Sequence, residues 1–327
     1  MVEDTDLEGN VILFQNYRKD RDSKEEIEAS NEYIELDPEN AAAYYNRGCA
    51  YIKLGDYQHA IEDCDKVIKM DPENAHYAYH TRGYVYEELG DYQHAIEDYG
   101  KAIEMDPENL SVYYDRADVH RKLCNFGLAI DDYNKIIEID PDDADAFFLE
   151  GSVYEEIGNS QQAMDDYCKA IELNPDDSCA YYARGYIYER LGNFQQAIDD
   201  YSKIIELEPC EDASVYYMRG SAYEDLGNYQ QAIKDYDKAI EMEPDVAGDA
   251  YYRRGDVYYR LGNFQQAIDD YSEVIELEPD DSDAYYMRGS AYLKLGHHQQ
   301  AIEDYKSAAQ LGNKDSQNYL KEQGIAW

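Results

Sequence analysis

One unit of sequence returns eight times along this chain. Its leading aromatic stands at Tyr44, Tyr79, Tyr113, Phe147, Tyr181, Tyr216, Tyr251 and Tyr285, so the steps between copies are 35, 34, 34, 34, 35, 35 and 34 residues. A fixed period of this length is the mark of small supersecondary units that bury their apolar faces only by stacking on neighbours. The copy from Ala180 to Pro209 reads AYYARGYIYERLGNFQQAIDDYSKIIELEP. Gly185 and Tyr188 are three apart and share a helix face. Ala197, Tyr201 and Ile204, spaced by four and three, form one face of a second helix. Between them, Gly192 suits the left-handed residue that ends a helix and Asn193 the turn that follows. Pro209 lacks the N–H that a continuing helix needs, so it closes the unit. The periodicity therefore predicts an all-α chain of helical hairpins.

These residues resemble the tetratricopeptide repeat. The aromatic, Gly, Tyr, Ala, aromatic, Ala and Pro positions of that family are met by Tyr181, Gly185, Tyr188, Ala197, Tyr201, Ile204 and Pro209, with Ile204 larger than the family's usual residue. The first copy meets them with Tyr44, Gly48, Tyr51, Ala60, Cys64, Val67 and Pro72. The resemblance implies a right-handed α-solenoid that offers a concave groove to a protein partner and carries no catalysis of its own.

The expected organisation is an irregular extension over residues 1–22, a half-repeat capping helix over 23–40, eight repeats over 41–312 and a capping helix over 313–327. The repeats start near residues 41, 76, 110, 144, 178, 213, 248 and 282. In the extension, the run Val11-Ile12-Leu13-Phe14 is expected to dock on the first hairpin or on a neighbouring molecule. Ser23 and Glu26 read as a capping box that opens the half-repeat helix. The third repeat departs most. Ala117 replaces the packing glycine and Cys124 stands at the left-handed turn, which is expected to be reshaped to avoid a strain of about 1 kcal/mol. The eighth repeat has Asn313 where others close with proline. In the tail, Tyr319 and Leu320 share the apolar side of the last helix, and Trp327 is expected to fold back on that end.

The net charge of −43 repels nucleic acid and anionic lipid and favours basic partners. There is no run of 18 apolar residues, and the acidic start MVEDTDLEGN lacks the form of a secretory signal, so a cytoplasmic location is expected. The six cysteines form no C-x-x-C pair and read as small apolar fillers in a reducing compartment. The seven histidines are scattered without metal-ligand spacing. Acidic clusters such as Asp140-Pro-Asp142-Asp143 lack the glycine and terminal glutamate of a calcium loop and read as helix N-caps. No phosphate-binding loop or nucleophile elbow is present. No enzyme, metal or cofactor is expected.

Two ladders emerge when the copies are aligned. Arg47, Arg82, Arg116, Arg184, Arg219, Arg254 and Arg288 hold one position of the first helix. Asp63, Asp98, Asp132, Asp166, Asp200, Asp235, Asp270 and Asp304 hold one position of the second. Pairing between them would neutralise charge at a packed interface, and Glu150 alone breaks the series, opposite Asp166.

The second ladder rests on the resemblance, which implies a groove lined by first-helix residues just after the packing aromatic and then four and seven further on. Those positions give Tyr45, His80, Tyr114, Phe148, Tyr182, Tyr217, Tyr252 and Tyr286, then a row containing Tyr84, Tyr186 and Asp256, then a row containing Glu87, Glu155, Glu189, Glu224 and Tyr259. Tyrosine offers large contact area at low entropy cost, and its ring face attracts lysine or arginine. The rings could equally pack on one another along the wall. The lysine and asparagine that clamp chaperone tails in this family are replaced here by Tyr45 and Cys49. The expected function is a non-catalytic scaffold that binds a basic or amphipathic peptide segment. The alternative is a self-assembling structural protein that joins end to end, into oligomers or filaments, through its N-terminal extension and C-terminal cap.

Overall fold

The computed structural model describes residues 7–207, 212–244 and 247–327, with side chains described from residue 22 onward. Its contacts divide into two units, one ending at Leu173 and one beginning at Asn174. The first unit opens with α1 (Leu7–Leu36). Four hairpins follow: α2/α3 (Ala41–Lys53, Tyr57–Met70), α4/α5 (His76–Glu88, Tyr92–Met105), α6/α7 (Leu110–Lys122, Phe126–Ile139) and α8/α9 (Ala144–Glu156, Ser160–Leu173). The second unit holds α10/α11 (Ser178–Arg190, Phe194–Leu207), α12/α13 (Ala213–Asp225, Tyr229–Met242), α14/α15 (Gly248–Arg260, Phe264–Leu277), α16/α17 (Ser282–Lys294, His298–Gln310) and the closing α18 (Lys314–Glu322). Within each unit every helix packs on the next. Neighbouring first helices also approach one another, α2 with α4, α4 with α6 and α12 with α14, so the first helices form the tighter side of each stack.

The turn inside each hairpin is set by one left-handed residue. Gly192 has φ 76°. Its N–H donates to the Glu189 carbonyl at 2.9 Å, and the Asn193 N–H donates to the Tyr188 carbonyl at 2.8 Å, which satisfies the end of α10. The third repeat keeps this geometry. Cys124 has φ 57°, and the bonds from Cys124 to Arg121 and from Asn125 to His120 are both 2.8 Å. The expected reshaping does not occur, because the Cys124 side chain is exposed and two hydrogen bonds hold the turn against a strain of about 1 kcal/mol. The other cysteines also divide. Cys64 is buried as a filler should be, Cys49 is partly buried, and Cys168 and Cys179 are exposed, which corrects the filler reading for three of the described cysteines. Cys210 lies outside the described residues.

In six hairpins the core is a tyrosine of the second helix laid against a glycine of the first, and in the third Tyr133 lies beside Ala117. Tyr99, Tyr133, Tyr167, Tyr201, Tyr236 and Tyr271 are almost fully buried. A methyl group on Gly83 would stand 2.7 Å from the Tyr99 ring, and one on Gly255 would stand 2.9 Å from the Tyr271 ring. The first repeat has Cys64 in place of the tyrosine, and a methyl on Gly48 would meet nothing closer than Asp63 Cβ at 3.4 Å. The same substitution therefore has opposite outcomes. Gly255→Ala forces a sealed ring to move and lowers stability by about 1–3 kcal/mol. Gly48→Ala gains helix propensity and raises it by up to about 1 kcal/mol. Urea unfolding followed by far-UV circular dichroism measures both.

The arginine ladder closes seven of the eight hairpins with a two-pronged bond. Nε and Nη2 of Arg47 donate to Asp63 at 2.8 and 2.6 Å, and those of Arg288 donate to Asp304 at 2.8 Å each. Arg82, Arg116, Arg184, Arg219 and Arg254 repeat the arrangement with Asp98, Asp132, Asp200, Asp235 and Asp270. Several of these arginines also reach back to the preceding second helix. Arg47 Nη1 meets Asn31 at 2.6 Å, Arg219 meets Ser202 and Arg288 meets Ser272 at 3.0 Å each, and Arg82 meets Asp65. One guanidinium thus fastens a hairpin internally and to its neighbour. In the fourth repeat, Glu150 and Asp166 are both buried. Asn134 donates to Glu150 at 3.0 Å, and one oxygen of Asp166 has no partner.

The two ends differ from expectation. α1 runs unbroken through Ser23, which is buried inside the helix, so no capping box starts there. The charged stretch YRKDRDSK contains no glycine or proline, and the helix continues through it. The segment expected to be irregular is helical from Leu7 onward. The docking of Val11–Phe14 concerns side chains outside the described residues. At the other end, Asn313 caps α18 by accepting from Ser316 N–H at 2.9 Å. Leu320 is fully buried and Tyr319 meets Tyr305 at 4.6 Å between ring centroids. Ile325 packs against this cluster, whereas Trp327, expected to cover that end, stays 46% exposed. The acidic linkers act as N-caps: Asp143 accepts from Ala146 N–H, and Asp281 from Asp283 and Ala284 N–H.

Candidate functional site

The groove tyrosines sit on the first helices, and their packing follows one rule in both units. In the first unit His80 lies 5.8 Å from Tyr99, Tyr114 lies 6.2 Å from Tyr133 and Phe148 lies 5.7 Å from Tyr167, centroid to centroid. In the second unit Tyr182 meets Tyr201 at 6.2 Å, Tyr217 meets Tyr236 at 5.8 Å, Tyr252 meets Tyr271 at 5.7 Å and Tyr286 meets Tyr305 at 5.8 Å. Each ring is braced by the buried tyrosine of its own hairpin. Tyr45, whose hairpin carries Cys64 instead, packs edge-on against Tyr77 at 4.7 Å. None of these rings is sealed. Tyr182 is exposed and the others are partly buried, so each keeps some surface toward solvent.

The row four residues on is more varied. Tyr84 and Tyr186 are exposed, and Arg190 Cζ lies 5.8 Å from the centroid of the Tyr186 ring. Asp256 is partly buried and accepts from the Tyr271 hydroxyl at 2.6 Å. Burial pushes its pKa up, against the opposing pull of Tyr271, Arg260 and Arg253. In the next row Tyr259 packs edge-on against Phe264 at 5.3 Å.

The carboxylates of that row have a role the sequence does not display. The buried tyrosines donate their hydroxyls to them: Tyr99 to Glu87 at 2.7 Å, Tyr167 to Glu155 and Tyr201 to Glu189 at 3.0 Å each, and Tyr236 to Glu224 at 2.8 Å. Burial and the facing carboxylate hold those phenols well above their ordinary pKa. These acids therefore terminate a polar chain that begins in the core.

Side chains one residue beyond the ring row also face this side, and alignment on the ring, four and seven positions passes over them. Their signal is spacing: they lie three residues before the second row, on the same helix face. Asp115 meets His80 Nε2 at 2.5 Å, and Thr81 donates to the Tyr45 hydroxyl at 3.3 Å. Arg253 and Arg260 lie 3.9 and 3.3 Å from the buried Glu224. Tyr45, His80 and Tyr84 are brought together around one open pocket of about 380 Å³ in the first unit, with Cys49, Ile52, Thr81 and Asp115. In the second unit, Tyr182 and Tyr217 line separate pockets of about 250 and 140 Å³.

Sequence profiles of the tetratricopeptide repeat match residues 41–74, 76–109, 110–143, 132–165, 178–209, 217–275 and 282–312, and a related TPR repeat profile matches 151–192 and 255–296. This chain belongs to the tetratricopeptide repeat family. Part of this repeat protein, 50 residues or 15% of the chain, is 42% identical to the human small glutamine-rich tetratricopeptide repeat-containing protein beta. The match spans 16% of that relative's length. Among solved structures, the C-terminal part of a TPR repeat-containing protein from Cytophaga hutchinsonii superposes with a TM-score of 0.62 at 21% identity, covering 72% of this chain and 97% of that one. YrrB, titled a TPR protein with an unusual peptide-binding site, superposes with a TM-score of 0.52 at 22% identity, over 58% of this chain and 97% of its own. These likenesses establish the fold of the repeat protein as an all-α stack of tetratricopeptide hairpins. Among its described residues, no helix is long and apolar enough to cross a membrane.

Proposed function

We propose that this tetratricopeptide repeat protein is a non-catalytic scaffold whose first-helix faces hold a basic or amphipathic peptide segment of a protein partner. One observation carries the reading: a partly exposed ring recurs in every hairpin and, in seven of them, rests on a buried tyrosine that fixes its tilt. A braced ring loses little entropy when a partner covers it, so contact area translates efficiently into affinity. The net charge of −43 selects partners of opposite sign and speeds their encounter. YrrB, which shares the fold, is described as having a peptide-binding site, and the reading gives the ring rows a comparable use.

A random-peptide library panned against the full chain tests this. Enriched peptides are expected to be rich in lysine and arginine, and to bind at least tenfold more weakly to a Tyr182→Ala, Tyr217→Ala, Tyr252→Ala variant that retains its helical circular dichroism. The single replacements, each with a smaller loss, guard against unfolding of the triple variant. Acidic or neutral winners, or equal binding to the folded variant, would refute the assignment.

A further inference from the structure

The pocket of the first unit is chemically unfinished. Tyr84 lines it with 40% of its surface exposed. In the second unit the equivalent tyrosine, Tyr186, is equally exposed but has the chain's own arginine, four residues on, over its ring, with Arg190 Cζ at 5.8 Å from the centroid. One turn after Tyr84 the chain carries Glu88 instead. An acid there cannot cap the ring face, which attracts cations. The surrounding charge is also negative. Burial and the carboxylates of Glu88, Glu87 and Asp115 push the Tyr84 hydroxyl above its ordinary pKa. The lysines of the flanking helices are held elsewhere: Lys53 by Glu26 at 2.7 Å, and Lys122 by Glu87 and Asp118 at 2.8 and 2.7 Å. Asp115 lines the same pocket, beside apolar surface from Ile52 and Cys49.

We propose that this pocket takes an arginine side chain of the partner, with its guanidinium over Tyr84 and against Asp115 and its methylenes on Ile52 and Cys49. The inference rests on the reading that the partner is basic or amphipathic, and narrows it to one anchoring residue in one place. Arginine fits better than lysine because a planar guanidinium both stacks on a ring and donates in plane to a carboxylate. The chain uses the same pairing for itself: Arg47 reaches Asp63 at 2.6 Å while lying 5.3 Å from the Tyr44 centroid. The pocket volume of about 380 Å³ admits a long side chain rather than a folded ligand.

The test uses the full chain and N-acetyl-arginine methylamide, with its uncharged analogue N-acetyl-citrulline methylamide as control. Amide chemical shifts are followed during titration. Saturable shifts confined to α2, α4 and α6 are expected, with binding at least tenfold weaker for the citrulline compound and for Asp115→Asn, a near-isosteric change that preserves the pocket's shape. Tyr84→Leu should weaken binding about fivefold. Equal affinity for arginine and citrulline, equal affinity of wild type and Asp115→Asn, or shifts centred outside these helices would overturn the proposal. The broader reading fails separately. A basic library peptide that binds through Tyr182, Tyr217 and Tyr252, while the arginine amide leaves the first unit unperturbed, removes the pocket and keeps the scaffold. An arginine amide seated in the pocket, with no basic peptide enriched from the library, supports the pocket and removes the basic-partner reading.

Discussion

Glu150→Arg raises the stability of the first unit by about 2–4 kcal/mol at pH 8. The fourth repeat is the one hairpin with an acid in the arginine ladder. Its Glu150 and Asp166 are each 6% exposed. Everything needed to receive a guanidinium is in place. Asp166 occupies the ladder position of Asp63, and Asn134 stands where Asn31 accepts from Arg47 at 2.6 Å. As it is, burial and then the Asp166 charge push the Glu150 carboxyl up to about 7, and burial pushes Asp166 up to about 6. The groups facing the pair are Asn134 on α7, which donates to Glu150 at 3.0 Å, and Gln162 on α9, at 3.5 Å from Asp166. Asp165 and Tyr154 lie alongside, the latter with its hydroxyl pKa raised by burial and by Glu150, Asp166 and Asp131. No cation is among them.

Both carboxyls hold protons more tightly folded than unfolded, so the folded state is favoured in acid. Stability is lost as pH rises from about 4 through about 7 and stays lost above. The advantage of Glu150→Arg should therefore be small at pH 5 and full at pH 8. Glu150→Gln, which removes one titrating group and leaves an amide to donate to Asp166, should flatten the profile. Comparing variant with wild type at each pH cancels the general repulsion of a highly acidic chain. Urea unfolding at pH 5, 6, 7 and 8 measures all three proteins. A constant difference across that range would exclude the titration of these two carboxyls as the cause.

Arg254→Leu acts in the opposite direction and lowers the stability of the second unit by about 3–5 kcal/mol. Arg254 donates to Asp270 at 3.0 and 2.6 Å and reaches Asp237 on the preceding second helix at 2.5 Å. Asp270 is 4% exposed, and burial already raises its pKa against the pull of Arg254. Without the guanidinium the carboxylate is buried and unpaired, so the variant should recover part of its deficit as pH falls and Asp270 takes up a proton. Removing both partners, Arg254→Leu with Asp270→Leu, should restore most of the loss, because no charge is then stranded. Arg190→Leu is the control. That arginine is exposed and stacks on Tyr186, and its removal should change stability by less than about 1 kcal/mol.

The hairpins were legible because their information is periodic. Gly192, Pro209 and the face shared by Ala197, Tyr201 and Ile204 recur until the stop, the turn and the buried side are each specified several times over. The Arg–Asp ladder was legible for the same reason, as was its break at Glu150. Chain ends carry no such redundancy. Ser23 reads as a cap from its four-residue neighbourhood, yet α1 continues through it, and Trp327 is expected to fold back on the last helix, yet it is exposed.

The candidate site was half legible. Alignment finds the row from Tyr45 to Tyr286, but what braces it depends on which second-helix residue lies beneath, which is a property of the hairpin's crossing rather than of either helix. The same holds for Glu189 and Glu224. As sequence they are acids on a face, and in the fold they accept from the buried Tyr201 and Tyr236. Asp115 was passed over because it falls one step outside the aligned rows; its spacing puts it on the same helix face, and its contact with His80 on the preceding first helix draws it in.

Photo-crosslinking tests most directly whether the ringed side holds the partner. A library-selected peptide is bound to chains carrying p-benzoylphenylalanine at Tyr182, Tyr217 or Tyr252 on the first helices, or at the exposed Gln196, Gln231 or Gln266 on the second. Adducts are expected from the three tyrosine positions and not from the glutamines. Adducts formed mainly from the glutamine positions would place the partner on the opposite side and contradict the account.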